Sequence, residues 1–322
     1  MSASAQPPAP IRHVGPDQVR AHLPMRAAVD ALRQALLDGV DPAQDIPRTA
    51  VPLSHGQFLI MPSEAGGYAG IKILTLNPEN TGRDLPAIQG GYLLHEARTL
   101  SPLALIDGTA LTLVRTPAVS ALGADLLADR EARELLVFGT GPQALQHVRA
   151  IAAVRPISRV GLVGRDLGRT RAAAETLRRD GYRVRVAQAD DAAAAPIIAC
   201  CTSSAEPLFD GNAVDGTAVV LAMGSHTPQA RELDDALLRR ARVYVEDRET
   251  ALREAGEIVQ AVADGVLEPQ RLRTLRELVR SPGTEDAPSA PGPAVFKTVG
   301  MGWQDLVTAK ALYENLPGHG RE

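Results

Sequence analysis

From Glu134 onward the chain alternates between short apolar runs and stretches with helical spacing, and this alternation limits the possible folds more than any other feature. "ELLVF" leads into "GPQALQHVRAIAAV", and "SRVGLVG" leads into "RDLGRTRAAAETLRRDG". "RVRVAQ", "PIIACC", "GTAVVLAM" and "ARVYVED" follow as further strand-like runs. Strands separated by helices predict a parallel sheet covered on both faces. The expectation is an α/β protein with a doubly wound parallel sheet.

The pattern before this region differs. Residues 17–38 have apolar positions at helical spacing, with Gly39 as the stop, and are read as one helix. Gln57–Met61 and Ala69–Leu76 are β-type runs interrupted by Pro and Gly, and Gly90–Glu96 and Leu103–Asp107 flank a turn at Thr99–Pro102. These predict an antiparallel region. A helical period begins at Ala110, and an amphipathic helix is expected at the C-terminal end. The 322 residues suffice for two domains, expected at 1–117 with 302–322 and at 118–301. "SPGTEDAPSAPGPA" at Ser281–Ala294 reads as a mobile loop, and the first ten residues as a floppy tail without the features of a secretion signal.

A formal net charge of −4, with no basic block, argues against nucleic acid as a partner. No run reaches the roughly 18 consecutive apolar residues of a membrane span. Cys200 and Cys201 are adjacent and offer no disulfide framework, which points to a reducing, cytoplasmic compartment. His55 and His95-Glu96 lack metal-ligand spacing to a third residue, so no metal is expected.

The run Gly139-Thr140-Gly141-Pro142-Gln143-Ala144 stands after a strand and opens a helix. The tight turn needs Gly139, Gly141 lets backbone approach a pyrophosphate, and Ala144 allows close helix–strand packing. Pro142 suits the first helical turn, where its missing N–H costs nothing. The remaining N–H groups and the helix dipole favour an anion. With a second βα unit following, this predicts a dinucleotide. The second strand ends Gly164-Arg165-Asp166, with Arg169 close behind. Arginines suit a ribose 2′-phosphate and favour NADPH, whereas Asp166 suits NADH, the alternative. Thr202 and Ser203 end another strand and are candidates for the cofactor ribose or pyrophosphate, as are Met223, Gly224 and Ser225 at the end of "VVLAMGS".

Three cations stand out in the first domain: Arg48 in "DIPRTAVPL", Lys72 inside an apolar strand, and Arg115, read as opening a helix where the dipole disfavours positive charge. Singly each suits a surface or ion-pair role. Together they suit a carboxylate.

The stretches "IPRTAVPL", "GIKILTLNPEN", "LALIDGTALTLVRTPAVSALGADLLA", "FGTGPQALQHVRA", "CCTSSAEPLF", "AMGSHTPQARELD" and "VFKTVGMGWQDLVTA" resemble the ornithine cyclodeaminase/mu-crystallin family along nearly the whole chain. The resemblance implies a Rossmann-type doubly wound sheet plus an α+β substrate and dimerisation domain that pairs into a homodimer. It implies that Arg48, Lys72 and Arg115 hold a substrate carboxylate beside a nicotinamide. It also implies that the segment ending Val299-Gly300 lies near the carboxamide, contacting it through backbone. Asp305 matches an acidic residue of the family's C-terminal helix and is expected to cap or pair. In cyclodeaminases and alanine dehydrogenase-like members the loop after the "VVLAMG" strand carries an Asp, where this chain has Ser225-His226. That departure favours reduction of a preformed imine, with His226 or Lys72 as proton donor. The expected activity is NAD(P)H-dependent reduction of a small, cyclic imino acid such as 1-pyrroline-2-carboxylate or 1-piperideine-2-carboxylate. The alternatives are a cyclodeaminase or amino-acid dehydrogenase, and a non-catalytic binder of NADPH and a small acid.

Overall fold

The structure is a computed structural model that describes residues 10–83, 85–281 and 292–318. Residues 1–9 of the expected N-terminal tail and 282–291 of the expected Ser281–Ala294 loop lie outside the described residues. The helix and strand elements divide into two compact units: residues up to 27, 44–115 and from 301 onward form one, and 28–43 with 116–300 form the other.

The first unit is built on a six-stranded sheet. Its strands are β1 (Arg12–Val14), β2 (Thr49–Leu53), β3 (Gly56–Ala65), β4 (Tyr68–Leu76), β5 (Ile88–Glu96) and β6 (Pro102–Asp107), in the order β1-β6-β5-β4-β3-β2. All pairs are antiparallel except β1 with β6. Alternation puts Met61, Ser63, Lys72, Leu74, Tyr92, Leu94, Ala104 and Ile106 on one buried face. The opposite face carries Val51, Phe58, Ile60, Ile71, Ile73, Leu93 and Leu105, all half-buried or exposed, with Ile73 at 42% and Leu105 at 40%.

The segment read as one N-terminal helix is two, α1 (Pro16–His22) and α2 (Met25–Leu37). Pro24 separates them, because the residue before a proline is driven out of helical geometry and proline itself lacks the N–H. Gly39 does end the second, at φ +113°.

Helix α3 (Gly108–Leu127) starts where Asp107 accepts the N–H of Ala110 at 2.7 Å. Arg115 therefore lies two turns inside the helix rather than at its opening, beyond the reach of the N-terminal dipole. This helix is long and apolar enough to cross a membrane, but 78% of its apolar window is buried inside the protein. It is a core helix.

The second unit holds an eight-stranded, all-parallel sheet. Its strands are β7 (Glu134–Phe138), β8 (Arg159–Val163), β9 (Arg183–Val186), β10 (Ile197–Cys200), β11 (Val219–Ala222), β12 (Arg242–Val245), β13 (Arg273–Thr274) and β14 (Ala294–Lys297). The order is β13-β12-β14-β11-β10-β7-β8-β9, so the winding reverses at β7. Such a reversal opens a crevice at the carboxyl ends of the strands. Between strands run α4 (Pro142–Ala152), α5 (Leu167–Arg179), α6 (Asp235–Arg240), α7 (Arg248–Glu254), α8 (Gly256–Ala263) and α9 (Leu275–Arg280). Leu136, Phe138, Ile198, Val220, Leu237, Val243, Ile258 and Val295 belong to one continuous core.

The last helix, α10 (Gly302–Glu314), returns to the first unit and packs on β3, β4 and β5. It was expected to be amphipathic. Instead every residue from Gly302 to Ala309 is buried, including Gln304, Asp305 and Thr308. Its start is pressed so close to β3 that a Cβ on Gly302 would lie 2.7 Å from the Pro62 carbonyl oxygen.

Candidate functional site

In the first unit, alternation along β4 turns Lys72 inward, and α10 lays Asp305 over it. Lys72 Nζ donates to Asp305 Oδ2 at 2.6 Å, and Arg115 Nε donates to Asp305 Oδ1 at 3.1 Å. Arg115 also donates to Gln304 Oε1 at 3.2 Å. Lys72 and Asp305 are fully buried and Arg115 is 7% exposed. One carboxylate thus bridges two of the three predicted cations, as a pairing role for Asp305 requires. Arg48, half-buried ahead of β2, is close enough for its charge to act on Lys72. Burial first, then the positive charges of Arg115 and Arg48, bring the Lys72 ammonium down to about 8, although Asp305 pulls the other way. The structure therefore brings Lys72 and Arg115 together through Asp305, with Arg48 near enough for its charge to reach Lys72.

Two neighbours of this cluster carried no sequence signal. Asp45 accepts the Ser63 hydroxyl at 2.7 Å and the Trp303 N–H at 3.0 Å, and burial raises its carboxyl above the usual range. Tyr92 is the cross-strand partner of Lys72. Its ring is fully buried, its hydroxyl has no hydrogen-bond partner among the described residues, and burial with Asp305 and Asp45 nearby keeps it a neutral phenol. Gly70 makes room for it, since a Cβ there would lie 2.2 Å from the Tyr92 oxygen. A cation cluster with one buried anion and a phenol is suited to gripping a small anionic acid and to holding a proton on Lys72.

In the second unit, the glycine-rich run forms the β7–α4 turn. Gly139 has φ +123°, and a Cβ there would lie 2.5 Å from the Cys201 carbonyl oxygen. Gly141 is the N-cap of α4, Pro142 begins the helix, and Ala144 is fully buried. Nothing lies within 4 Å of where a Gly141 Cβ would be. This open side, at the N-terminus of an eleven-residue helix beside the switch point, fits a pyrophosphate. Thr140 is half-buried in the same turn. Gln143 is half-buried, and its carbonyl is bonded by the ring Nδ1 of buried His147 at 2.8 Å. At the β8 tip a Cβ on Gly164 would lie 2.4 Å from Thr170 Oγ1 and 2.6 Å from Thr140 Cγ2. Asp166 caps α5 by accepting the Arg169 N–H at 2.8 Å, and Arg165 and Arg169 are exposed.

Elsewhere the polar groups of predicted cofactor residues turn inward. Thr202 gives both its N–H and its hydroxyl to the buried Glu232, each at 2.7 Å. Gly224 N–H donates to the same carboxylate at 2.7 Å. The Ser225 hydroxyl donates to buried Glu257, and its carbonyl accepts from Lys297 at 2.7 Å. The N–H groups of Val299 and Gly300 go to Glu246 at 2.7 and 3.1 Å. Such groups are therefore supports for the strand ends. Ser203 is exposed and Met223 half-buried. His226 is exposed, with Nδ1 3.3 Å from the Gly224 carbonyl oxygen. The three glutamates escaped the sequence reading because a carboxylate in a helix or loop normally faces water.

A model of the ornithine cyclodeaminase/mu-crystallin family matches residues 16–320. The chain belongs to that family. Within it, the Delta(1)-pyrroline-2-carboxylate reductase of Colwellia psychrerythraea is 33% identical over 273 residues, covering 82% of this chain and 85% of its own. Among solved structures, the Thermococcus litoralis Delta(1)-pyrroline-2-carboxylate reductase in complex with NADH and L-proline superposes with a TM-score of 0.89 at 26% identity, over 96% of this chain and 98% of the other. An archaeal alanine dehydrogenase dimer with bound NAD gives 0.87 at 27% identity, over 95% of each chain. The family resemblance carried by the motifs is thus shown, and with it the Rossmann-type fold class.

Proposed function

We infer that this family member is a nicotinamide-dependent reductase of a small imino acid, an oxidoreductase acting on C=N. The observation that carries this reading is the buried Lys72–Asp305–Arg115 cluster with Arg48 beside it. It is a preorganised carboxylate grip that holds a titratable proton. The relatives named as pyrroline-2-carboxylate reductases, one of them solved with NADH and L-proline, support the substrate class.

The β7–α4 turn from Gly139 to Ala144 would hold the pyrophosphate of the dinucleotide. When bound, that cofactor supplies the hydride for the imine carbon. The rest of the chemistry falls to the chain. Arg48 and Arg115 orient the substrate carboxylate, and Lys72 holds the proton that the imine nitrogen requires. Burial of the cluster excludes water that would otherwise weaken its electrostatic grip. His226 is the second candidate for the proton, favoured by its place in the loop after β11.

NADPH is the preferred form in this reading. The closed environment of Gly164 leaves no room for an acidic side chain at the β8 tip, and Asp166 is committed to capping α5. The exposed Arg165 and Arg169 are the available partners for a 2′-phosphate. NADH, bound by the solved reductase, is the alternative. The apolar outer face of the first unit's sheet supports a homodimer formed through that face. Two free thiols, Cys200 and Cys201, support a reducing, cytoplasmic setting.

The deciding assay follows oxidation of NADPH and NADH with 1-pyrroline-2-carboxylate and 1-piperideine-2-carboxylate from acidic to neutral pH. Saturable turnover of either imine is expected. Absence of turnover with every α-imino acid, or ammonia release from ornithine or alanine in its place, would overturn the reading.

A further inference from the structure

The rim of the second unit's sheet is held by charged side chains that imine reduction does not itself use. Glu232 takes hydrogen bonds from Thr202 at the tip of β10 and from Gly224 just past β11, both at 2.7 Å. It thereby ties two strand ends together. The two backbones approach so closely that a Cβ on Gly224 would lie 1.8 Å from the Thr202 carbonyl oxygen. The next residue is held from the other side. Lys297, the last residue of β14, donates to the Ser225 carbonyl at 2.7 Å and pairs with Glu257 at 3.3 Å, while the Ser225 hydroxyl donates to Glu257. Gln260 fixes the loop further on by donating to the Pro228 carbonyl at 2.8 Å. Glu232 and Glu257 are fully buried and Lys297 is 1% exposed.

Burying such charges costs desolvation, and apolar residues of similar volume often support a fold as well. What the charges add is direction, since each bond ends on the backbone or hydroxyl of one short rim. The place of that rim gives it a role. The pyrophosphate cradle is at β7–α4, and the exposed arginines at the β8 tip mark the adenosine side. The other half of a dinucleotide must then run the opposite way across the switch point, over the tips of β10 and β11. We propose that Glu232 and the Lys297–Glu257 pair are positioning residues that hold the Met223–His226 rim for the nicotinamide half of the cofactor. The inference rests on the reading of this unit as a dinucleotide site.

The test is calorimetric titration of NADPH and of 2′-phospho-ADP-ribose, which lacks the nicotinamide, with NADH and ADP-ribose run in parallel. The proteins are wild type, Lys297→Met, Lys297→Arg, Ser225→Ala and Glu232→Gln. Lys297→Met and Glu232→Gln are expected to weaken the intact dinucleotide about tenfold, the scale of one or two lost hydrogen bonds, and to leave the fragment within about twofold. Lys297→Arg should recover most of the loss, and Ser225→Ala should show a smaller loss of the same selectivity. Ser225→Ala decides the matter if the larger changes prevent folding. Equal loss of both ligands would mean a merely structural role, and no loss of either would mean none; each overturns the proposal while leaving the dinucleotide site standing. A wild type that binds neither dinucleotide overturns the site itself.

Discussion

Asp305→Asn isolates the electrostatics of the carboxylate grip. The substitution keeps the size of the side chain and removes the carboxylate bonded to Lys72, the only one among the described residues. At 2.6 Å and an effective dielectric of 20, the lost attraction amounts to about 6 kcal/mol before relaxation. Relaxation and the amide's remaining oxygen reduce this, and the loss of a close opposite charge lowers an ammonium pKa by about 1–3 units. Lys72 starts at about 8 and keeps Arg115 and Arg48 as neighbours, so its pKa in the variant falls below that of the wild type. A proton donor works below its pKa and fails as pH rises through it. The wild-type kcat/KM should therefore fall above about pH 8, and that of the variant should begin to fall at a lower pH, with activity partly regained on acidification. The assay is kcat/KM for a cyclic imine against pH, with saturating reduced cofactor and circular dichroism as a check on folding. A basic limb that stays in place, or moves upward, in a folded variant would refute the assignment of that proton to Lys72.

Four further outcomes are expected. His147 is buried, and burial lowers its pKa from 6.5 to about 4, so the unfolded chain binds its proton first as pH falls; stability should drop between pH 6.5 and 4 by about 3 kcal/mol from this residue, and urea midpoints of wild type and His147→Gln should converge at the acidic end. Arg165→Ala with Arg169→Ala should raise KM for NADPH about tenfold while leaving KM for NADH nearly unchanged, on the scale of a lost charge-assisted hydrogen bond. Gly164→Asp, the usual route to an NADH site, should instead weaken both cofactors, because its Cβ collides with Thr140 and Thr170, and titration of each cofactor would reveal this. Ile73→Lys with Leu105→Lys should convert the proposed homodimer to a monomer in light scattering, since both side chains stand on the exposed apolar face; a dimer of unchanged mass would overturn the proposed interface.

Legibility in the sequence followed the range of the forces involved. The β7–α4 turn could be read directly because a positive φ at Gly139, a proline at the first helical position and a small residue at Ala144 are local requirements. The strand at Ala69–Leu76 is visible as a β-type apolar run, and Lys72 is conspicuous as a charge within it. Arg115 was placed at a helix start, although the start belongs to Asp107, whose capping bond is a matter of backbone geometry. The break at Pro24 was masked by an apolar period that continues across it. Thr202, Gly224, Val299 and Gly300 read as cofactor-contacting residues, but the sequence does not reveal that their N–H groups go to Glu232 and Glu246, which are 30, 8, 53 and 54 residues away in the chain.

The sequence alone determined the α/β class, the parallel sheet from Glu134 and the glycine-rich β7–α4 turn, because periodicity and turn chemistry are properties of neighbouring residues. Only the tertiary structure decided that Asp305 joins Lys72 to Arg115 across 233 and 190 residues of chain, that Asp45 and Tyr92 adjoin them, and that three glutamates are buried as struts for the strand ends. A buried charge needs a partner that satisfies it, and which residue supplies that partner depends on how strands and helices far apart in the chain pack together.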